Sequence, residues 1–321
     1  MRISYEERAY IVSAIKAIAM MAILGASVSL VAQSTSMRPP ITGIAKVSVY
    51  ATDLNKSKQF YGTFLGFPQI ASNSASAPLE FRVSLKQSIE VEPAPAGTTD
   101  FLAYIAFATS NIESMRRYLV GQKVPVEGEI QTQPDGTRFL WVEDPEGHRI
   151  QFVQLPAHGH LLPVNSAAAF KNSTQPISQI ILHAGFIVHD RAAEDRFFRD
   201  ILGFVEGWQG GRGNRIEWID MRVPDGTDWL EYMMHDPTAK TAGDSGVLNH
   251  FALGVPDIHQ AANMLQHRHW DSATPSQDPQ IGRDGKWQLN LYDPNGTRVE
   301  LMEFGPVRTP CCSPYTLPVP K

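Results

Sequence analysis

Asp53-Leu-Asn-Lys-Ser-Lys-Gln-Phe-Tyr-Gly-Thr-Phe-Leu-Gly-Phe67 returns without a gap as Asp190-Arg-Ala-Ala-Glu-Asp-Arg-Phe-Phe-Arg-Asp-Ile-Leu-Gly-Phe204. Each copy opens on an Asp, whose carboxylate suits the free amides at a helix start. Apolar residues follow at helical spacing. Each copy closes on Leu-Gly, with glycine where a chain leaves a helix in the left-handed region. An alternating strand precedes each copy, over Ile44–Thr52 and Ile181–His189.

Downstream the pattern repeats again. Asp144-Pro-Glu-Gly-His-Arg-Ile-Gln151 matches Asp293-Pro-Asn-Gly-Thr-Arg-Val-Glu300. Asp-Pro-x-Gly is a tight turn, and the flanking residues read as the strands of a hairpin. Leu102–Leu119 matches Leu248–Leu265, again strand then helix. Two modules result, residues 41–155 and 179–304, each reading twice as strand, helix, strands. Residues 156–178 form a linker of polar and small residues, and 305–321 a Pro-rich tail expected to be extended.

The 321 residues suit about two domains, and 43% apolar content allows a sizeable core. A net charge of −5 without a Lys/Arg cluster argues against a nucleic-acid partner. Residues 1–34 differ from the rest. Arg2, Arg8 and Lys16 precede the apolar run Ala17–Ala32, and Ala32-Gln33-Ser34 offers a cleavage site. This reads as a signal peptide, so an exported mature chain with no membrane span is expected. An uncleaved N-terminal anchor is the other reading. The two cysteines, Cys311 and Cys312, are adjacent. Their Cβ vectors are expected to point apart, leaving free thiols; binding a metal or linking two chains are the alternatives.

These repeats resemble the vicinal-oxygen-chelate superfamily, which includes glyoxalase I, bleomycin and fosfomycin resistance proteins, methylmalonyl-CoA epimerase and extradiol dioxygenases. The resemblance covers about Ile41–Phe304. It implies an α+β fold of two modules, each of paired βαβββ units forming a cup-shaped mixed sheet. It implies chemistry less sharply, because one scaffold hosts many reactions.

The resemblance also implies where a metal would sit. In this superfamily ligands lie on the first strand and the last strand of the units, which selects His183, His250 and Glu300. Two imidazoles and a carboxylate suit Fe(II), Mn(II), Zn(II) or Ni(II) and leave positions for substrate. One such ion is expected, with Fe(II) favoured. The same positions in module one hold Lys46, Tyr104 and Gln151, so its metal site is degenerate.

Three more residues bear on the reaction. Glu231 and His235 share a face of the strand Asp228–His235. Glu231 is either a fourth ligand and base, as in glyoxalase I and the epimerase, or an exposed carboxylate. His235 matches the acid–base His of extradiol dioxygenases, or is a solvated strand end. Tyr292 fits a Tyr that these dioxygenases carry before the Glu ligand, whereas Asp284 stands where they have His. The remaining histidines, including His148, fall on turns, the linker, a strand end or helix faces, and His267 and His269 are expected to be solvated. Trp208 with Gly210-Gly211 suggests a bulge or hairpin and a substrate loop.

The expected function is an extradiol-type dioxygenase acting on a small aromatic molecule. Alternatives are a glyoxalase- or epimerase-like lyase or isomerase, or a metal-dependent binding protein of resistance type. Export makes both standard chemistries awkward, since Fe(II) is hard to keep and glutathione thioesters are not expected there. A homo-oligomer is compatible with all three.

Overall fold

The computed structural model describes residues 37–71, 77–156, 175–234, 248–268 and 278–320. The signal-peptide reading of residues 1–34, the core of the linker and His235 lie outside the described residues. No described helix is long and apolar enough to cross a membrane.

Alternation and β-branched content produce fifteen described strands in two mixed sheets. The first sheet contains β1 (Ile41–Ala51), β2 (Leu79–Arg82), β3 (Ser88–Pro93), β4 (Leu102–Thr109), β5 (Glu127–Thr132), β6 (Arg138–Glu143) and β7 (Arg149–Gln154). Its order is β2-β3-β1-β4-β7-β6-β5. The second contains β8 (Ile181–Val188), β9 (Val205–Arg212), β10 (Arg215–Arg222), β11 (Trp229–Met234), β12 (His250–Val255), β13 (Gln280–Ile281), β14 (Trp287–Tyr292) and β15 (Arg298–Glu303). Its order is β13-β14-β15-β12-β8-β11-β10-β9. The fold is thus α+β, with two curled mixed sheets. The first unit of module one shows two strands after its helix, plus a lone bridge between Gln69 and Phe81.

The repeated helices begin as the sequence reading expects. Asp53 accepts from the amides of Asn55 and Lys56 at α1 (Leu54–Ser57), and Asp190 from that of Ala193 at α3 (Arg191–Glu194). Both then widen into π-helix, over Lys58–Phe64 and Asp195–Ile201. The amide of Leu65 reaches the carbonyl of Phe60, and that of Leu202 the carbonyl of Phe197. Gly66 and Gly203 follow at φ of 82° and 81°, where a side chain would be strained. The units' other helices are α2 (Ile112–Gly121) and α4 (Ile258–Gln266).

The modules pack on each other through these helices. Phe107 meets Phe204 edge-on at 5.3 Å, a contact worth about 1 kcal/mol beyond its area. Polar bonds set the register: Gln87 donates to the Ile44 and Ile181 carbonyls, and Asp228 accepts from the amide of Ile44.

Two expectations are corrected. Cys311 and Cys312 are bonded to each other rather than free. Cys312 sits at φ 80°, away from the extended backbone that would splay neighbouring side chains. Trp208 is not in a substrate loop; it is buried in β9, under the tail's Tyr315 at 6.4 Å. The bulge is present, where Gly210 and Gly211 face Trp218 and Ile216 across an extra residue. Among its described residues the tail has no helix or strand. It is tied down through Thr316 to Gly207, Ser313 to Gln209, and Tyr315 to Asp284.

Candidate metal centre

Strand pairing brings the candidate residues together. His183 on β8 lies beside Trp229 of β11, and Glu231 two residues on lies beside Gly185. Gly185 in turn faces His250 of β12. A Cβ on Gly185 would lie 2.1 Å from the His250 ring, so only glycine leaves room for that imidazole. Ala252 pairs with Glu300 of β15, completing the group from four strands.

His183 and His250 are fully buried, and Glu300 nearly so. The two Nε2 atoms are 3.1 Å apart. Glu300 Oε2 lies 3.5 Å from His183 Nε2 and 3.8 Å from His250 Nε2. Metal–ligand bonds of about 2.1 Å require neighbouring donors roughly 3.0–3.4 Å apart, so this spacing suits a shared ion with small adjustments. Glu231 Oε2 flanks the group, 3.1 Å from His250 Nε2 and 3.9 Å from His183 Nε2.

The imidazoles are in the form a metal needs. Burial drives the pKa of both well below the ordinary histidine range. At His183 the charge of Glu231 opposes this, while His250, Lys286 and Arg298 add to it. At His250 Arg298 adds to burial. His250 Nδ1 is 2.7 Å from the Leu248 carbonyl, which makes it the donor and frees the Nε2 lone pair. Arg298 Nη2 is 2.6 Å from that Nε2, so a cationic donor already faces the lone pair.

Charge around the group is unbalanced. Asp220 faces Glu231 across β10 and β11, and Asp284 lies 3.5 Å from Lys286 Nζ. Lys286 is buried, with Nζ 4.2 Å from the Trp229 ring centre and 5.2 Å from that of Tyr315. Burial raises the pKa of Asp220, Asp284 and Glu300, against the pull of nearby cations. Four carboxylates (Asp220, Glu231, Asp284, Glu300) stand against two cations (Lys286, Arg298). A divalent ion would cancel the formal excess of two negative charges. The donor set and the charge both fit such an ion.

Tyr292 is less central than its sequence position suggests. It pairs with Arg298, one step along the same face from the Asn290–Glu300 pair. The sequence reading missed Arg298, Asp220, Lys286 and Tyr315. Arg298 was findable, because it alternates with Glu300 on one strand face.

Module one is organised differently at the equivalent place. Lys46 Nζ lies 2.8 Å from Glu90 and 3.0 Å from Glu80, and Tyr104 donates to Glu90 at 2.6 Å. Burial opposes the charge of Lys46, but Tyr104, Glu80 and Glu90 outweigh it and hold its pKa well above the ordinary value. A groove of about 700 Å³ lined in part by Leu85, Gln179 and Ile180 lies apart from both centres.

Comparison with known proteins agrees with this architecture. The Glyoxalase/Bleomycin resistance protein/Dioxygenase superfamily model matches residues 43–152 and 180–301. No curated protein sequence matches the chain. Among solved structures, a catechol 2,3-dioxygenase superposes with TM-score 0.60 at 15% identity, covering 88% of this chain and 94% of that one. The 2,3-dioxygenase LapB from Pseudomonas sp. KL28 gives 0.62 at 14% identity, covering 87% and 97%. Homoprotocatechuate 2,3-dioxygenase from Arthrobacter globiformis gives 0.59 at 17%, covering 84% and 82%. At such identities the likeness speaks for the fold alone.

Proposed function

Because the chain belongs to the glyoxalase/bleomycin resistance protein/dioxygenase superfamily, we propose that it is a metal-dependent enzyme of extradiol-dioxygenase type acting on a small aromatic diol. The observation that carries this reading is the buried convergence of His183 Nε2, His250 Nε2 and Glu300 Oε2 within 3.8 Å of one another. These three residues would hold one divalent ion, with Fe(II) favoured over Mn(II), Zn(II) or Ni(II). Such an ion would supply Lewis acidity to substrate oxygens and, as Fe(II), electrons toward dioxygen. The fold is shared with a catechol 2,3-dioxygenase over 88% of this chain, and the reaction proposed is of the kind that protein's name states.

The chain's own residues then have definite tasks. Arg298 and Lys286 offset the charge of a deprotonated diol. Glu231, within reach of the ligand imidazoles, accepts a hydroxyl proton. His235, the residue that follows Met234 in sequence, acts as acid–base, and Tyr292 hydrogen-bonds substrate from beside Arg298.

A second reading has one specific observation in its favour. Glu231 at 3.1 Å from His250 Nε2 is close enough to serve as fourth ligand and base, as a glyoxalase- or epimerase-like lyase or isomerase requires. Oxygen uptake separates the readings. Chain loaded anaerobically with Fe(II) and given catechol and substituted catechols should consume one dioxygen per ring opened. Substrate turnover without oxygen uptake would favour the second reading. Tight metal-dependent binding without turnover would overturn both and leave a binding protein.

A further inference from the structure

The contact between the modules occurs twice, with the roles exchanged. In one copy α1 of module one meets the Asp293-Pro-Asn-Gly turn of module two. In the other, α3 of module two meets the Asp144-Pro-Glu-Gly turn of module one. Both turns are built alike: Asp293 accepts from the amides of Asn295 and Thr297, and Asp144 from those of Glu146 and His148. Both reach across to the other module in the same way. Asn295 accepts from the amide of Thr52, and Glu146 from the amide of His189.

The two contacts differ inside. In the first, Tyr61 donates its hydroxyl to Asp293 at 2.9 Å, and Ser57 and Thr297 stand at the other two matching positions. The second has Phe198 where the first has Tyr61, Glu194 where it has Ser57, and His148 where it has Thr297. The proton donor is gone and a carboxylate and an imidazole have been gained.

Glu194 is 0% exposed, and neither carboxylate oxygen meets a donor at full hydrogen-bond geometry among the described residues; the nearby Glu146 amide is bonded to Asp144 instead and only eases the burial of Glu194. Burying such a group without a partner is costly. The buried hydroxyl of Tyr232, whose titration feels Glu194, also lacks a hydrogen-bond partner among the described residues. Ligand atoms of Asp144, His148 and Glu194 lie within 4.8 Å of one another. Asp144 Oδ2 is already 2.7 Å from His148 Nδ1.

We propose that Asp144, His148 and Glu194 form a second divalent-cation site that clamps the turn of module one to the helix of module two. One imidazole and two carboxylates suit a first-row ion of the Mn(II)-to-Zn(II) kind better than Ca(II) or Mg(II), which favour all-oxygen sets. Two carboxylates and a neutral imidazole around a divalent ion carry no net charge, so the site can stay buried. Its turn is held by the Glu146 bonds to His189 and Asp190, which preorganises two of the three ligands.

This site is independent of the one around His183, and metal stoichiometry tests it separately. Full-length chain is loaded with Zn(II), desalted and assayed for zinc per chain, beside Glu194→Gln and His148→Gln. Asp144 is left intact because it shapes its turn. Glu194→Gln keeps the shape of the neutral acid and His148→Gln changes the other module, so either variant suffices if the other misfolds. Each variant should hold one zinc fewer than the parent, whether the parent holds two or only the one at this site. Zinc should also raise the Tm of the parent more than that of either variant. Zinc content equal to the parent's in a variant that folds would overturn the proposal.

Discussion

Lys46 and His183 occupy the same position in their two sheets: Lys46 pairs with Ser88 across parallel strands as His183 pairs with Trp229. Two residues along, Glu90 and Glu231 are likewise matched, beside Ser48 and Gly185. In module one the ammonium of Lys46 supplies the positive charge at the centre. In module two an imidazole lone pair stands there instead, and the positive charge must come from elsewhere.

Lys46→Met should therefore cost stability without affecting metal content. It strands Glu80 and Glu90 around a mostly buried space, a loss of about 3 kcal/mol. Urea denaturation measures this, and a variant as stable as the parent would show that the ion pair is not what holds the centre. Adding Glu90→Gln should recover part of the loss.

Lys286 and Asp284 should be energetically coupled. Lys286→Met leaves Asp284 buried without its cation, while Asp284→Asn removes the need for it. A double-mutant cycle should give a coupling of about 1–3 kcal/mol. Additive effects would mean that Lys286 is held by its stacking on Trp229 alone.

Tyr315 seals the tail onto module two. Tyr315→Ala removes the ring that covers Trp208 and faces Lys286. Trp208 emission should shift to the red and the Tm should fall by a few degrees, as about 1–2 kcal/mol of burial is lost. Unchanged emission would place the tail's anchorage elsewhere, at Ser313 and Thr316.

Asp228 makes the module contact sensitive to pH. Burial raises its pKa from 3.8 to about 7, against the bond from the amide of Ile44. The folded chain thus binds this proton more tightly than the unfolded chain. Its contribution is fully present below about pH 4 and is lost as pH rises toward 7. The Tm of the parent minus that of Asp228→Asn should fall across this window. Parallel curves would show that Asp228 is ionised throughout.

Much of the fold was legible because the repeats carry their own punctuation. The capping Asp53 and Asp190 and the left-handed Gly66 and Gly203 mark helix ends by chemistry that does not depend on the rest of the chain. The π-helical widening was not legible, because apolar spacing over two turns does not separate it from an α-helix. For the centre, the positions of His183, His250 and Glu300 could be assigned because the units repeat. Asp220, Lys286 and Tyr315 arrive from β10, a turn and the tail, and only tertiary packing brings them near. His148 looked like one more turn histidine, since Glu194, its neighbour across the module contact, lies 46 residues further on.

The most direct test of the metal centre is the metal content of the chain against that of His250→Ala, both loaded anaerobically with Fe(II) and desalted. The account expects the variant to hold one ion fewer per chain. Equal content in parent and folded variant would contradict it, and the four carboxylates around His183 would need another source of positive charge.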